Sequence, residues 1–548
     1  MNSWTLRYWQ SFSFVGLVVA TIFFCGSVTP SLLPRPYFVQ GILSGFSLAI
    51  GYGVGVALVW LWMFLELPKP SEKLELRSKQ FTVVCVALVF VASVWRATFW
   101  QNSIRQRMEM PPLETADPYR FFLISIVVAC LMVAVLRALL RGCARLTVRL
   151  ERYVPPRIAA MVSMVVISTL TILVANGVVA RGLLALADQT FSNADELIDE
   201  GIAQPSEPLA CGSVESNVPW DSIGRQGKNF IAGGPTKQSI SEFTGDDAKT
   251  PLRVYVGVRS AEDEEQRAAL AVQELKRVGG FDRKILVVAT PTGTGWLDQG
   301  AVDTLEYMHD GDTAIVSTQY SYLPSWITIL VDPSCSRRSA TALFDQVYAH
   351  WTTLPKDDRP QLHLFGLSLG SFGCEDTANL LKTFQDPIQG SVKSGPPFPS
   401  TRWASIVSER NPGSSVWLPT FRDGSMIRFT SQQNRLESGK AWGPIRDVYI
   451  QHASDPMVWF SPSLAWHRPA WLNDPRGPDV SPQLRWYPIV TFLQIAFDLP
   501  MATSVPIGYG HNYAPANYID AWMAVTDPPS WEPDDVTRLK NQFAPSAP

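Results

Sequence analysis

The chain has 548 residues, a formal net charge of −3, 46% hydrophobic and 17% charged residues. The length exceeds one ordinary domain, and a near-neutral balance without a basic block excludes the electrostatic footprint of a nucleic-acid-binding protein. No internal repeat of about 20–50 residues is present, which excludes a solenoid or propeller. The first 190 residues are strongly apolar and the remainder reads as a mixed globular chain. Five apolar runs (12–28, 39–65, 81–99, 121–140 and 158–179) are each close to the roughly 20 helical residues that cross a bilayer core. The first is short, but it lacks a small-residue cleavage pattern and reads as a retained helix. Cys25 follows Phe23 and Phe24, where a lipidation site needs small residues.

Loop charges set the expected orientation. Lys69, Lys73, Arg77 and Lys79 lie between the second and third runs, and Arg141, Arg145, Arg149, Arg152 and Arg157 between the fourth and fifth. On the alternate side stand Arg35, then Arg105, Arg107 and Arg120 diluted by Glu109, Glu114 and Asp117. Lys and Arg accumulate on the cytoplasmic side of membranes. The expectation is a cytoplasmic N-terminus, five crossings, and everything after Arg181 outside the cytoplasm. Trp4, Trp9, Trp60, Trp62, Trp95 and Trp100 lie near the run ends, as interfacial anchors do. Of seven cysteines, only Cys211, Cys335 and Cys374 fall beyond the apolar part. An oxidising compartment permits one disulfide among them, and three buried thiols are the alternative.

Residues 191–250, rich in Gly, Pro, Ser and acidic side chains, read as a linker and domain entrance. Strands and helices then alternate. Residues 252–258, 285–289, 313–317 and 362–365 are short apolar strands, and 262–278, 301–309 and 340–351 have helical character. This order predicts a mainly parallel sheet flanked by helices over 251–548. Between about 391 and 443 the periodicity fails among Pro396, Pro397, Pro399, Trp403, Pro412, Trp417, Pro419 and Trp442. That segment reads as an insertion, either a cap over a cleft or a wrap that shields the sheet.

Gly366-Leu367-Ser368-Leu369-Gly370 fits G-x-S-x-G between an apolar strand and a helix-compatible run. A serine on such a strand-to-helix turn projects its hydroxyl from the sheet edge, and the N–H of the next residue, Leu369, faces the oxyanion formed on attack at a carbonyl. A serine nucleophile needs a base and an orienting carboxylate, in the chain order Ser, Asp or Glu, His for this type of turn. Asp455 follows the strand-like run 448–451, and His511 lies in the loop Gly508-Tyr509-Gly510-His511-Asn512-Tyr513. His309, His350 and His363 precede the serine, His452 is too near Asp455 along the chain, and His467 is the main rival. The glycine-containing loop after 285–289 offers Thr292 and Gly293 as a second oxyanion donor. It lacks the G-K-[ST] ending of a Walker A loop, and no C-x-x-C or H-E-x-x-H pattern is present, so neither a metal nor a cofactor is expected.

These stretches carry a resemblance. Val218-Pro219-Trp220-Asp221 with Gly224-Arg225-Gln226-Gly227, and residues 290–297, 319–326, 368–373, 454–459 and 510–513, resemble the actinobacterial membrane-anchored α/β-hydrolases with an N-terminal multi-span domain, alpha/beta-hydrolase family 9. Leu367 departs from it, since relatives commonly carry Glu before the serine. The resemblance implies a multi-span helical membrane domain (1–190) followed by an α/β-hydrolase fold in bacteria with lipid-rich envelopes. The expected function is a serine hydrolase or acyltransferase acting on an ester of an envelope lipid or glycolipid, with the bilayer as its partner. A non-enzymatic lipid-binding or lipid-transport protein, and a serine peptidase on the same fold, are the competing expectations.

Overall fold

The computed structural model describes residues 11–68, 71–473 and 475–544. Trp4, Trp9 and Lys69 lie outside the described residues. The chain divides into two compact units: Met1–Ala185 with Phe460–Asn473 and Pro478–Met501, and Leu186–Trp459 with Asp474–Gly477 and Ala502–Pro548.

The first unit contains α1 (Phe14–Val28), α2 (Tyr37–Phe64), α3 (Glu72–Arg105), α4 (Pro118–Leu150) and α5 (Pro156–Val174). The helices beginning at Tyr37, Glu72, Pro118 and Pro156 are long and apolar enough to cross a membrane, so the described residues hold four such helices where the sequence suggested five. The 15 residues of α1 rise only about 22 Å, short of the ~30 Å hydrocarbon core. Its ends are fixed locally. The Ser13 side chain accepts the Gly16 N–H at 3.2 Å, and the Thr29 hydroxyl donates to the Gly26 carbonyl at 2.6 Å just before Pro30. Small residues let α1 and α2 approach closely: a Cβ on Gly55 would lie 2.7 Å from the Gly16 Cα.

The same unit includes residues far along the chain. In the helix Val490–Asp498, Asp498 pairs with Arg35 (Nε–Oδ1 2.9 Å), both side chains 0% exposed. Its other oxygen accepts the N–H groups of Leu32 and Leu33 at 3.2 and 3.4 Å. Gln494 donates to the Thr29 carbonyl at 2.9 Å.

The second unit is built on seven strands: β1 (Leu252–Val256), β2 (Ile285–Thr290), β3 (Thr313–Thr318), β4 (Gln361–Leu367), β5 (Gly390–Ser394), β6 (Ile427–Thr430) and β7 (Arg446–Ile450). They run in the order β1-β3-β2-β4-β5-β7-β6, and every adjacent pair is parallel. Helices Glu264–Arg277 and Ser334–Trp351 pack together, as do Gln299–Met308 and Pro515–Thr526. The expected parallel sheet flanked by helices is therefore present. β1, β2 and β3 are buried along their whole length, which is why their sequences are apolar runs without alternation.

Two segments differ from the sequence reading. Residues 191–250 are part of the sheet's core rather than a linker: Cys211, Val218, Trp220, Ile223, Phe230 and Ile240 pack into it. Arg253 on β1 ties them in, donating to the Phe230 carbonyl (2.6 Å) while pairing with the buried Glu306 (2.6 Å). Turn-rich composition hid single apolar residues that tertiary packing buries. Residues 391–443 supply most of β5, the helix Thr401–Ser408 and β6. The later segments that leave the sheet's unit are Phe460–Asn473 and Pro478–Met501. Cys211, Cys335 and Cys374 are free thiols.

Candidate active site

Ser368 sits between β4 and the helix Leu369–Cys374 with φ 59° and ψ −124°, a strained conformation for a non-glycine residue that marks functional turns. The flanking glycines are required by space. A Cβ on Gly366 would lie 2.3 Å from the Gly370 carbonyl carbon, and one on Gly370 would lie 2.1 Å from the Thr290 carbonyl oxygen. The Ser368 N–H donates to the Ser394 carbonyl at the end of β5 (2.9 Å).

Asp455 follows β7 and is completely buried. Its Oδ1 accepts the Met457 N–H at 2.8 Å. Its Oδ2 takes both the Tyr513 hydroxyl (2.8 Å) and His511 Nδ1 (2.6 Å). A carboxylate on Nδ1 fixes the neutral imidazole as the Nδ1–H tautomer, leaving Nε2 with a lone pair. The His511 ring lies against Gly395, the residue after Ser394: a Cβ there would be 2.5 Å from His511 Cε1. Leu367 and Ser394 are register partners, so Ser368 and Gly395, the residue against which His511 packs, follow the C-terminal ends of one strand pair. The Ser368 hydroxyl and His511 Nε2 are both buried and make no hydrogen bond to each other or to any other described residue.

Around the pair, His452 stacks on Tyr513 (4.3 Å between centroids) and places Nδ1 2.9 Å from the Gly510 carbonyl. The Gly510 N–H donates to the Ser454 hydroxyl at 2.9 Å. Burial, then the Asp455 charge, pushes the Tyr513 phenol well above its ordinary range, so it remains a donor. The sequence reading named neither Tyr513 nor Gly395 for the site. The short Gly-His-Asn-Tyr spacing was the available signal for the tyrosine, and nothing local identified the glycine.

The other histidines are placed elsewhere. Burial pushes His363 and His309 down to about 3. His350 packs edge-on against Phe281, and His467 is exposed in the first unit. The expected oxyanion donors divide. Leu369 opens its helix, so its N–H has no acceptor within it. The Thr292 N–H donates to the Trp296 carbonyl (2.9 Å) and the Gly293 N–H to the Ser325 hydroxyl (3.1 Å), so both are already engaged. A tight turn and a neighbouring helix take up the loop donors, an outcome that depends on tertiary contacts.

A parallel sheet with a strained serine turn and an aspartate-bound histidine beyond it defines the class of α/β-hydrolases. Residues 252–539 match the model of the alpha/beta-hydrolase family, and residues 28–235 match that family's N-terminal region. The chain belongs to this family, which makes it a hydrolase-type protein whose N-terminal helices are a family feature. No curated protein and no solved structure matches it.

Proposed function

We propose that this protein is a membrane-anchored serine hydrolase or acyltransferase that opens an ester of an envelope lipid or glycolipid through an acyl-enzyme. The observation that carries the reading is the buried His511–Asp455 pair, 2.6 Å apart, at the end of the strand pair that also presents Ser368. His511 Nε2 takes the Ser368 proton as the hydroxyl oxygen attacks the ester carbonyl. The Leu369 N–H faces the resulting oxyanion. The C–O bond to the leaving alcohol breaks, and His511 returns the proton to that oxygen. Water or a second hydroxyl then attacks the acyl-serine by the same steps in reverse. The membrane-crossing helices support a lipid substrate because they hold the enzyme beside it.

A fluorophosphonate probe is expected to label the full-length protein at Ser368, and Ser368→Ala to abolish both labelling and ester turnover. Loss of a fully coupled nucleophile raises the barrier by roughly 8 kcal/mol. A folded protein that neither labels nor turns over any ester would overturn the reading. Comparative lipid and peptide profiling of wild type against Ser368→Ala separates a lipid esterase from a peptidase.

Charge supports an extracytoplasmic catalytic unit independently of α1. The basic segments flanking the α2–α3 and α4–α5 connections lie on one side, which puts the chain after α5 on the other, whether or not α1 crosses. The short α1 bears only on the N-terminus, which the five-crossing count placed in the cytoplasm. Alkaline phosphatase fused after Pro548 is expected to be active and green fluorescent protein at that site dark; the reverse pattern would sink the assignment.

A further inference from the structure

β6 is one of the two edge strands, third from β4 in the sheet, and it and the segments on either side of it form a cleft of about 250 Å³. Arg422, Arg428 and Arg435 line this cleft, with Asp423 as the carboxylate among its lining residues. Arg428 is buried. Its guanidinium is held by the carbonyls of Gly424, Leu436 and Lys440 and lies 3.9 Å over the Trp442 ring. Carbonyls satisfy its donors but do not neutralise its charge. Asp423 is committed elsewhere, accepting the Ser425 N–H and hydroxyl (3.1 and 2.7 Å) and facing Lys440 at 3.6 Å. Arg422 and Arg435 are exposed; Arg422 lies 5.1 Å over the Phe421 ring, Arg435 donates to the Gln433 side-chain oxygen at 3.3 Å, and among the described residues neither has a carboxylate partner. Arg422 holds φ 49°, a left-handed conformation that a non-glycine residue adopts at a cost. Asn411 secures it, its side chain donating to the Arg422 carbonyl at 2.7 Å and its N–H to the Thr420 carbonyl at 2.8 Å. Phe421 adds an aromatic ring to the lining.

We infer that this cleft is a second ligand site, separate from Ser368, that takes the phosphate group of a phosphate ester. Three guanidinium charges around one concavity, with its carboxylate spent, favour an anion. The forked donors of Arg422 and Arg435 suit the tetrahedral oxygens of phosphate. Phe421 adds apolar surface to the lining for the carbon skeleton next to the phosphate. That skeleton belongs either to a soluble sugar or glycerol phosphate or to a phospholipid headgroup.

Calorimetry on the full-length protein in a nonionic detergent tests this with two probes, glycerol 1-phosphate and a short-chain phosphatidic acid. Saturable binding of glycerol 1-phosphate that weakens with added salt is expected. Arg422→Ala with Arg435→Ala should weaken it about tenfold or more, and the paired Lys substitutions should fall between, since they keep charge but lose the fork. Both arginines are exposed, so the melting temperature should stay at the wild-type value; if the Ala pair does not fold, the Lys pair provides the comparison. Much tighter binding of phosphatidic acid assigns the site to a headgroup, and similar binding of both probes assigns it to a soluble ester. Absence of saturable binding by either probe, or equal binding by wild type and the arginine variants, overturns the proposal.

Discussion

Asp455 receives three hydrogen bonds, one on Oδ1 and two on Oδ2, where the Tyr513 hydroxyl and His511 Nδ1 both donate, and together they fix the carboxylate against the imidazole. Tyr513→Phe removes one donor and keeps the ring that stacks on His452. The carboxylate then loses one of the contacts that hold Oδ2 against His511 Nδ1. With His511 as the proposed base, Tyr513→Phe should lower kcat by about two- to tenfold with little change in KM, because only the orientation of the imidazole is loosened. A kcat equal to wild type would show that Tyr513 serves packing alone. At this scale the sequence was informative where chemistry is tied to local spacing. The glycines around Ser368 and the order Ser368, Asp455, His511 were legible because the turn and the chain order are local or linear properties. Tyr513, Gly395 and the engagement of Thr292 and Gly293 were not, since each depends on what another segment brings to within about 3 Å.

Strands were legible where burial demanded an apolar run and hidden where it did not. β2, Ile-Leu-Val-Val-Ala-Thr, announces itself. β5 reads Gly-Ser-Val-Lys-Ser yet is buried throughout, because Lys393 meets Asp447 on β7 at 3.5 Å. A buried ion pair across neighbouring strands leaves no periodic signal. β4 contains His363, whose ring is edge-on to Trp522 with centroids 6.4 Å apart, and burial pushes it down to about 3. In the unfolded chain the same side chain titrates near 6.5. Above that pH both states are neutral and the contribution to stability is complete. As pH falls toward 3, the unfolded state binds a proton that the fold refuses, and stability is lost, by roughly 2 kcal/mol at pH 5. His363→Gln should therefore show a smaller drop in melting temperature between pH 7 and pH 5 than wild type. Carboxylates contribute equally to both proteins, so an identical drop would mean that His363 is already proton-accessible in the fold.

The chain as a whole is interleaved, and this was the least legible property of all. It leaves the sheet after Trp459, contributes Phe460–Asn473 and Pro478–Met501 to the unit of N-terminal helices, and returns for His511. The residues that would activate Ser368 therefore flank a segment that folds with α1 and α2. Nothing in the 460–501 sequence states this, because the partner of Asp498 is Arg35, 463 positions away. The consequence is testable by truncation. A chain beginning at Leu186 would retain the sheet, but the apolar helix Val490–Asp498 would lose its packing surface and Asp498 its guanidinium. Removing one partner of a buried ion pair costs about 3–5 kcal/mol, a large share of the ~5–15 kcal/mol that holds an ordinary domain folded. The truncated chain is expected to aggregate and to lose fluorophosphonate labelling. A second truncation that also replaces 460–501 with a short Gly/Ser linker should recover solubility, because it removes the exposed apolar helix and the unpaired Asp498 together, while a longer loop costs little entropy. Size-exclusion chromatography and labelling decide the matter. If the first truncation is monomeric and labels as wild type does, 460–501 folds without the N-terminal helices, and those helices are a tether rather than a structural requirement.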